Sequence, residues 1–313
     1  MMPRLSTIVG LLVLSSLSFT SAAIAQSEDD NSRQIVLDRF NKARPAADVT
    51  AGVGGSRVGG GNPTPKAPVY RRTGSTKTAG GPRKPAPSSS EEIGVTVWRL
   101  RPWRSGDTGG RVLVLDGSKQ TEWTPERIEA DTPLKIGDRV RLTVESPQPG
   151  SLYIIDREQY ADGSLGEPML IFPTLHTRGG DNRVEPGKLV DIPAQEDQYS
   201  YFTAQPAGDR RDQVAEVLTI ILAAQPLPLQ IGDQPLKLTE QQITGWEKLW
   251  GGAAERLELI GGAGRTWTNE EKAAGAAKGR QLTQSGPPPQ TVYRVARKAG
   301  GPLLVTVPLR YAR

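Results

Sequence analysis

Cysteine is absent from this chain, and histidine occurs once, at His176. The first absence excludes disulfides, thiol nucleophiles, thiolate zinc sites and iron–sulfur clusters. The second excludes multi-histidine metal centres, and any Ser–His–Asp triad would have to use that single residue. His176 sits in the polar stretch "PTLHTRGGDNRV", which reads as a surface loop. No G-x-S-x-G elbow occurs. "GVGGSRVGGG" places Arg57 where a dinucleotide fingerprint needs its third glycine, and "GSTKTAGG" misses the P-loop spacing. Aromatic residues make up only 5% of the chain. No metal and no cofactor is expected from this inventory.

Long apolar runs are also missing. The longest, Ile8–Leu17, is too short to span a bilayer stably. It follows Arg4 and precedes Ala23-Ile24-Ala25, so the N-terminus has the three parts of a secretory signal. Cleavage near Ala25 would leave Gln26 as the mature start, with no cysteine to carry a lipid and no transmembrane segment in the mature chain. The expected location is therefore periplasmic or secreted.

The chain does have glycine and proline, 35 and 26 of them among 313 residues, many in one block near the N-terminus. Residues 26–90 carry 11 Lys and Arg against 5 Asp and Glu, whereas 91–313 carry 27 against 29. The basic character thus belongs to the leading segment. Low in apolar periodicity and rich in Gly, Pro, Ser and Thr, residues 26–92 read as a disordered basic tether. It is either a solvated spacer or an arm for an anionic envelope polymer, through Arg71, Arg72, Arg83 and Lys84. Its two aromatics, Phe40 and Tyr70, are too few for stacking on nucleic acid, which an exported protein would seldom meet.

From residue 93 to the C-terminus the pattern is of short β-branched runs bounded by turn residues, expected to form a single domain. "GVTVWRL", "RVLVLDG", "DRVRLTVES", "SLYIID", "PMLIFPT", "KLVDIP", "YSYFTA" and "EVLTIIL" read as strands. In the third, Val140, Leu142 and Val144 share one face, with Arg139, Arg141, Thr143 and Glu145 on the other, as in a half-buried antiparallel strand. "PQPG" reads as a turn, and "TVYRVARK"–"AGGP"–"LLVTVPLRY" as a final hairpin. Two short helices in the C-terminal part are marked by capping boxes, Thr239 with Gln242 and Thr268 with Glu271; the second, "NEEKAAGAAK", reads as mostly exposed. Trp246 and Trp250 read as core packing on the first helix, although a glycan platform has the same spacing. The fold class is mostly β, an antiparallel β-sandwich or open-barrel-like architecture.

The chemistry turns on "YIIDREQYADGSLGEPMLIFPT", which holds Asp156, Glu158, Asp162 and Glu167 between two apolar runs. These four match positions 1, 3, 7 and 12 of a calcium EF loop. Tyr160 and Ala161 stand where an oxygen ligand and a glycine are required, and the flanks are strand-like, so a hairpin around Asp162-Gly163 fits better. Asp156 and Glu158, two apart on a strand, share a face and so allow a carboxylate pair, against the simpler reading of surface acids paired with neighbours such as Arg157.

"LKIGDRVRLTVESPQPGSLYIIDREQYADGSLGEPMLIFPT" followed by "GGDNRVEPGKLVDIP" resembles the domain-of-unknown-function 4384 family, in an exported, free-standing version. The resemblance covers roughly Leu134–Leu227: a G-D-x-V-R-L strand, an L-Y-I-I-D strand, a D-G turn and an L/I-F-P segment. It implies a β-rich accessory module without established catalytic residues. The reading that follows is a non-enzymatic binding or scaffolding module of the bacterial cell envelope, facing an unknown envelope protein or anionic polymer. Its expected site is one loop face formed by Asp156, Glu158, Asp162, Glu167, Arg178, Asp181 and Arg183. The alternatives are an envelope-polymer hydrolase using Asp156, Glu158 or Glu167, and a glycan-binding module using Trp98, Trp103 and Trp123.

Overall fold

Aliphatic residues at every second position draw much of the described sequence into antiparallel strands, which the computed structural model stacks as two sheets. It describes residues 39–46, 68–76, 90–116, 119–197, 200–206, 210–296 and 300–312. The expected signal segment lies outside them.

The first sheet is organised by β2 (Ser90–Pro102), which pairs with three strands. β14 (Thr291–Ala296) joins its first half and β4 (Lys119–Ile128) its second, while β5 (Arg139–Glu145) pairs across Gly94–Leu100. Beyond β14 come β13 (Ala254–Leu259) and β1 (Tyr70–Thr76), and beyond β4 comes β3 (Val112–Asp116). β9 (Val190–Ile192) and β10 (Phe202–Thr203) pair with β5. The second sheet runs β12 (Leu236–Lys237), β7 (Met169–Phe172), β6 (Gly150–Tyr160), β11 (Gln213–Ala223), β15 (Leu303–Arg310), with β8 (Arg183–Val184) on the start of β6. The main core lies between them: Val95 and Val97 of β2 and Leu142 of β5 face Ile154, Ile220 and Val305 of the second sheet.

Two expected reversals join the sheets instead of closing hairpins. β5 belongs to the first sheet and β6 to the second, so "PQPG" carries the chain across the sandwich. β14 and β15 are likewise in different sheets, so "AGGP" does not close a hairpin. Turn chemistry specifies a change of direction, and the burial of both flanking strands then decides which sheet the chain enters.

The outer faces are covered as well. α2 (Glu240–Trp250), held by the expected capping box, lays Ile243, Trp246 and Trp250 on Tyr153, Ile155 and Ile221 of the second sheet. The two indoles stack at 5.3 Å as part of that packing. On the first sheet β5 is buried on both sides, contrary to the half-exposed reading. Arg141 is 1% exposed and Glu145 3%. Glu145 takes a two-pronged bond from Arg44, at 2.7 and 2.8 Å. α3 (Asn269–Gly275) is shorter and more buried than "NEEKAAGAAK" suggests. Its Glu271 bonds Arg127, and a Cβ on Gly275 would lie 2.1 Å from Asp191 Oδ2, so only glycine fits there.

Part of the stretch read as a tether is also packed. β1 belongs to this sheet, pairing along the whole length of β13, and α1 (residues 39–43) packs against it. The two leader aromatics are the anchors: Phe40 and Tyr70, 2% and 0% exposed, pack on Leu257, Leu259 and Val292. Composition hides this, because two aromatics and a buried arginine, Arg44, amid glycine and proline make the attachment.

Phe40→Ala is therefore expected to lower stability by about 3–5 kcal/mol, the range for truncating a buried aromatic. Urea unfolding monitored by circular dichroism checks this; an unchanged midpoint would mean that the leader is unattached.

Candidate functional site

Period-two alternation along β6 sends Leu152 and Ile154 into the central core and Tyr153 and Ile155 to the outer face under α2. The next inward positions are Asp156 and Glu158. On β11 the same side reads Leu222, Ile220, Leu218 and then Glu216, with Leu218 opposite Asp156 and Glu216 opposite Glu158. Both inner faces thus change from aliphatic to acidic at the same level, at one end of the sandwich. β15 brings Leu309 and Tyr311 to that end.

There the interior opens as a pocket of about 340 Å³. Its wall is mostly apolar, including Leu134, Val140, Leu142, Ile171 and Phe202, and its polar groups include Asp156, Glu216 and Tyr311. The Asp156 and Glu216 carboxyl groups lie within hydrogen-bonding reach of each other. Asp156 Oδ1 and Glu216 Oε2 are closed to solvent, and neither has a donor among the described residues. The other Glu216 oxygen accepts from Gln213 Nε2 at 2.7 Å and lies 2.9 Å from the Tyr311 hydroxyl.

Burial pushes the Asp156 carboxyl well above the usual carboxylate range, and the negative charges of Glu216 and Glu158 push it further. Burial raises Glu216 too, against the donors Tyr311 and Gln213. Tyr311 is raised by burial and by the adjacent Glu216 charge. Each carboxylate opposes ionisation of the other, so the pair holds a proton to higher pH than a free carboxyl group does. With that proton in place the site donates one hydrogen bond, accepts several and carries one negative charge against an apolar wall.

The other expected residues do not gather here. Glu158 and Glu167 line a separate, open depression with Tyr160, Arg210 and Lys237. Glu167 is exposed and paired with Lys237. Asp162 is exposed in the loop from β6 to β7, where it accepts from Ser164 and lies 3.7 Å from Arg210. That loop is the expected hairpin, turning at Gly163 with a φ of 84°. Arg178, Asp181 and Arg183 lie at the opposite end of β6, since Arg183 pairs with Ser151. At about 3.3 Å per residue, some 30 Å of strand separates them from the acidic loop. The expectation of one shared loop face is therefore corrected. Asp181 and Arg183 bond each other at 2.9 Å, which satisfies both locally.

The tryptophans fare similarly. Trp98 is fully buried and donates to Thr143 Oγ1 at 2.8 Å, so it leaves the glycan reading. Trp103 is 37% exposed, but Arg111 lies 4.6 Å over its ring, and Arg139 lies 4.6 Å over that of Trp123. Of the expected anion-binding residues, Arg71 pairs with Glu129 at 2.5 Å and Arg72 with Glu255 at 3.2 Å. Arg83 and Lys84 lie outside the described residues. His176 is exposed in its loop. Among the described residues no group of three His, Asp or Glu side chains is placed to hold a metal ion. No helix among them is long and apolar enough to cross a membrane.

Glu216 and Tyr311 were missed as site residues, although the signal was in reach. "EVLTIIL" read as a strand puts Glu216 on the face of Leu218 and Ile220, and "LLVTVPLRY" puts Tyr311 on the face of Leu309.

Residues 133–215 match the family model described as Domain of unknown function (DUF4384), about a quarter of the chain. The chain therefore carries a DUF4384 domain, whose strands contribute to both sheets and which contains Asp156 and ends one residue before Glu216. Comparison with curated proteins and with solved structures found no match.

The raised acidity has a direct consequence for stability. Between the carboxylate range of an unfolded chain, near pH 4, and the raised value of the folded pair, the folded state binds more protons than the unfolded one. This contribution is complete at the acidic end of that window and is lost as pH rises through the folded value. Asp156→Asn is expected to flatten the corresponding fall in urea midpoint with pH and to raise the midpoint at neutral pH. A wild-type slope in that variant would mean that the pair is ionised and solvated.

Proposed function

We propose that this chain is an exported, non-enzymatic binding module of the cell envelope, and that its ligand seats in the open end of the sandwich. The single observation that carries the reading is the Asp156–Glu216 pair, in which Asp156 Oδ1 and Glu216 Oε2 receive no donor from any other described residue, set in an apolar pocket large enough for roughly ten to fifteen heavy atoms. Such a site favours an apolar body bearing one amine or other strong donor, because a shared proton leaves the pair with about one negative charge and several acceptors. Export rests on the Arg4, Ile8–Leu17 and Ala23–Ala25 pattern. An envelope protein presenting an apolar side chain next to an amine, or a small free ligand of that chemistry, fits the same site.

A second reading is favoured by the raised acidity. The pair has the proton inventory of a general acid and base, so hydrolysis of an envelope polymer would run through Asp156 and Glu216, and not through Asp156, Glu158 and Glu167 together. The latter three do not converge in one pocket.

Calorimetric titration with phenethylamine, 2-phenylethanol and phenylacetate separates these cases. Binding in the order amine, alcohol, carboxylate is expected, with the amine preference reduced about tenfold in Glu216→Gln, as for loss of one charge-assisted bond. Equal binding of the three, or none, would remove the ligand assignment. Release of soluble fragments from peptidoglycan by the wild type, lost in Asp156→Asn, would establish the hydrolase instead.

A further inference from the structure

A second pocket, independent of the carboxyl pair, lies on the outer face of the first sheet. It has a volume of about 270 Å³ and lies between β3, the residues Gln195, Asp197 and Ser200, and α3. Arg141 lines it, projecting from β5 to the side away from the central core. The guanidinium stacks 4.4 Å from the Trp267 ring, and its Nη2 comes within 3.1 Å of Asp191 Oδ2. That approach lacks hydrogen-bond geometry. Nε, Nη1 and Nη2 are all buried and have no acceptor among the described residues. The Trp267 Nε1 donor is buried and unpartnered as well.

Asp191 is already engaged elsewhere. It accepts from Thr143 Oγ1 at 2.7 Å and from Gln195 Nε2 at 2.6 Å. Arg111 and Lys272 add two cations to the wall, Arg111 paired with Glu122 and Lys272 donating to the Arg111 carbonyl at 3.1 Å. Asp197 is the acidic member of the wall. Burial raises its carboxyl, against the donated Ala194 N–H. The unsatisfied atoms lining this pocket are all donors, on a planar group whose geometry matches two oxygens at once.

We infer that this pocket binds a small oxyanion, a carboxylate or a phosphate group, with the Arg141 guanidinium as its floor and Lys272 at its rim. The oxyanion supplies the acceptors that Asp191 does not, and Trp267 holds the guanidinium plane in position to receive it. The guanidinium nitrogens are closed to solvent, so entry requires side-chain movement at the rim. Lys272 is half-buried, with its Nζ bonded to the Arg111 carbonyl and to the carbonyls of no other described residue.

The test uses the full mature chain in chloride-free buffer, with inorganic phosphate in one arm and acetate in the other. The indole N–H resonance of Trp267, assigned with Trp267→Phe, is followed through each titration. A saturable shift with a Kd of about 1 mM or tighter is expected in at least one arm, and the arm that saturates identifies the oxyanion class. Arg141→Met should weaken the response about tenfold or more. If that variant does not fold, Lys272→Gln, which leaves the floor intact, should weaken it by about threefold. Absence of a saturable shift in both arms, or unchanged affinity in every folded variant, overturns the inference.

Discussion

The centre of the first sheet, β2 and β5, is buried on both faces, and the rest of the molecule is arranged around that constraint. A strand such as β5 that alternates Val140, Leu142 and Val144 with Arg141, Thr143 and Glu145 would ordinarily leave its polar side in water. Here Arg44, Trp267 and α3 cover that side, so every charge on it must be met inside the protein. Arg44 meets Glu145, Asp191 approaches Arg141, and Arg127 meets Glu271. Leaving one member of such a pair buried alone costs several kcal/mol, so these partners tie distant parts of the chain to the sheet.

The second sheet shows the opposite gradation. Its inner face is aliphatic along most of β6 and β11 and becomes acidic only where the two sheets part. This places Asp156 and Glu216 half in the core and half at an opening, which is why burial raises both carboxyl groups and why an apolar wall adjoins them. The two pockets are thus complementary. One presents acceptors and negative charge inside the sandwich, and the other presents donors on its outer surface.

Local signals in the sequence were legible. The capping boxes at Thr239 and Thr268, the hairpin at Asp162-Gly163 and the alternation of β5 each depend on residues within one turn or one strand, and each is found where expected. What could not be read depends on distant partners. The coverage of β5 comes from Arg44, Asp191 and Trp267, and the carboxyl pair joins residues sixty positions apart. Turn residues at Pro147–Gly150 and around Gly300 mark a change of direction in either outcome, within a sheet or between sheets. The burial of Phe40 and Tyr70 in a glycine- and proline-rich stretch has no periodic signature.

Attachment of α1 means that residues 39–44 are not a loose end. Phe40 packs on Leu257, Leu259 and Val292, and Arg44 grips both oxygens of Glu145. A pull or a proteolytic cut at this segment would reach the middle of the first sheet, because it removes the partner of a carboxylate shut away from water.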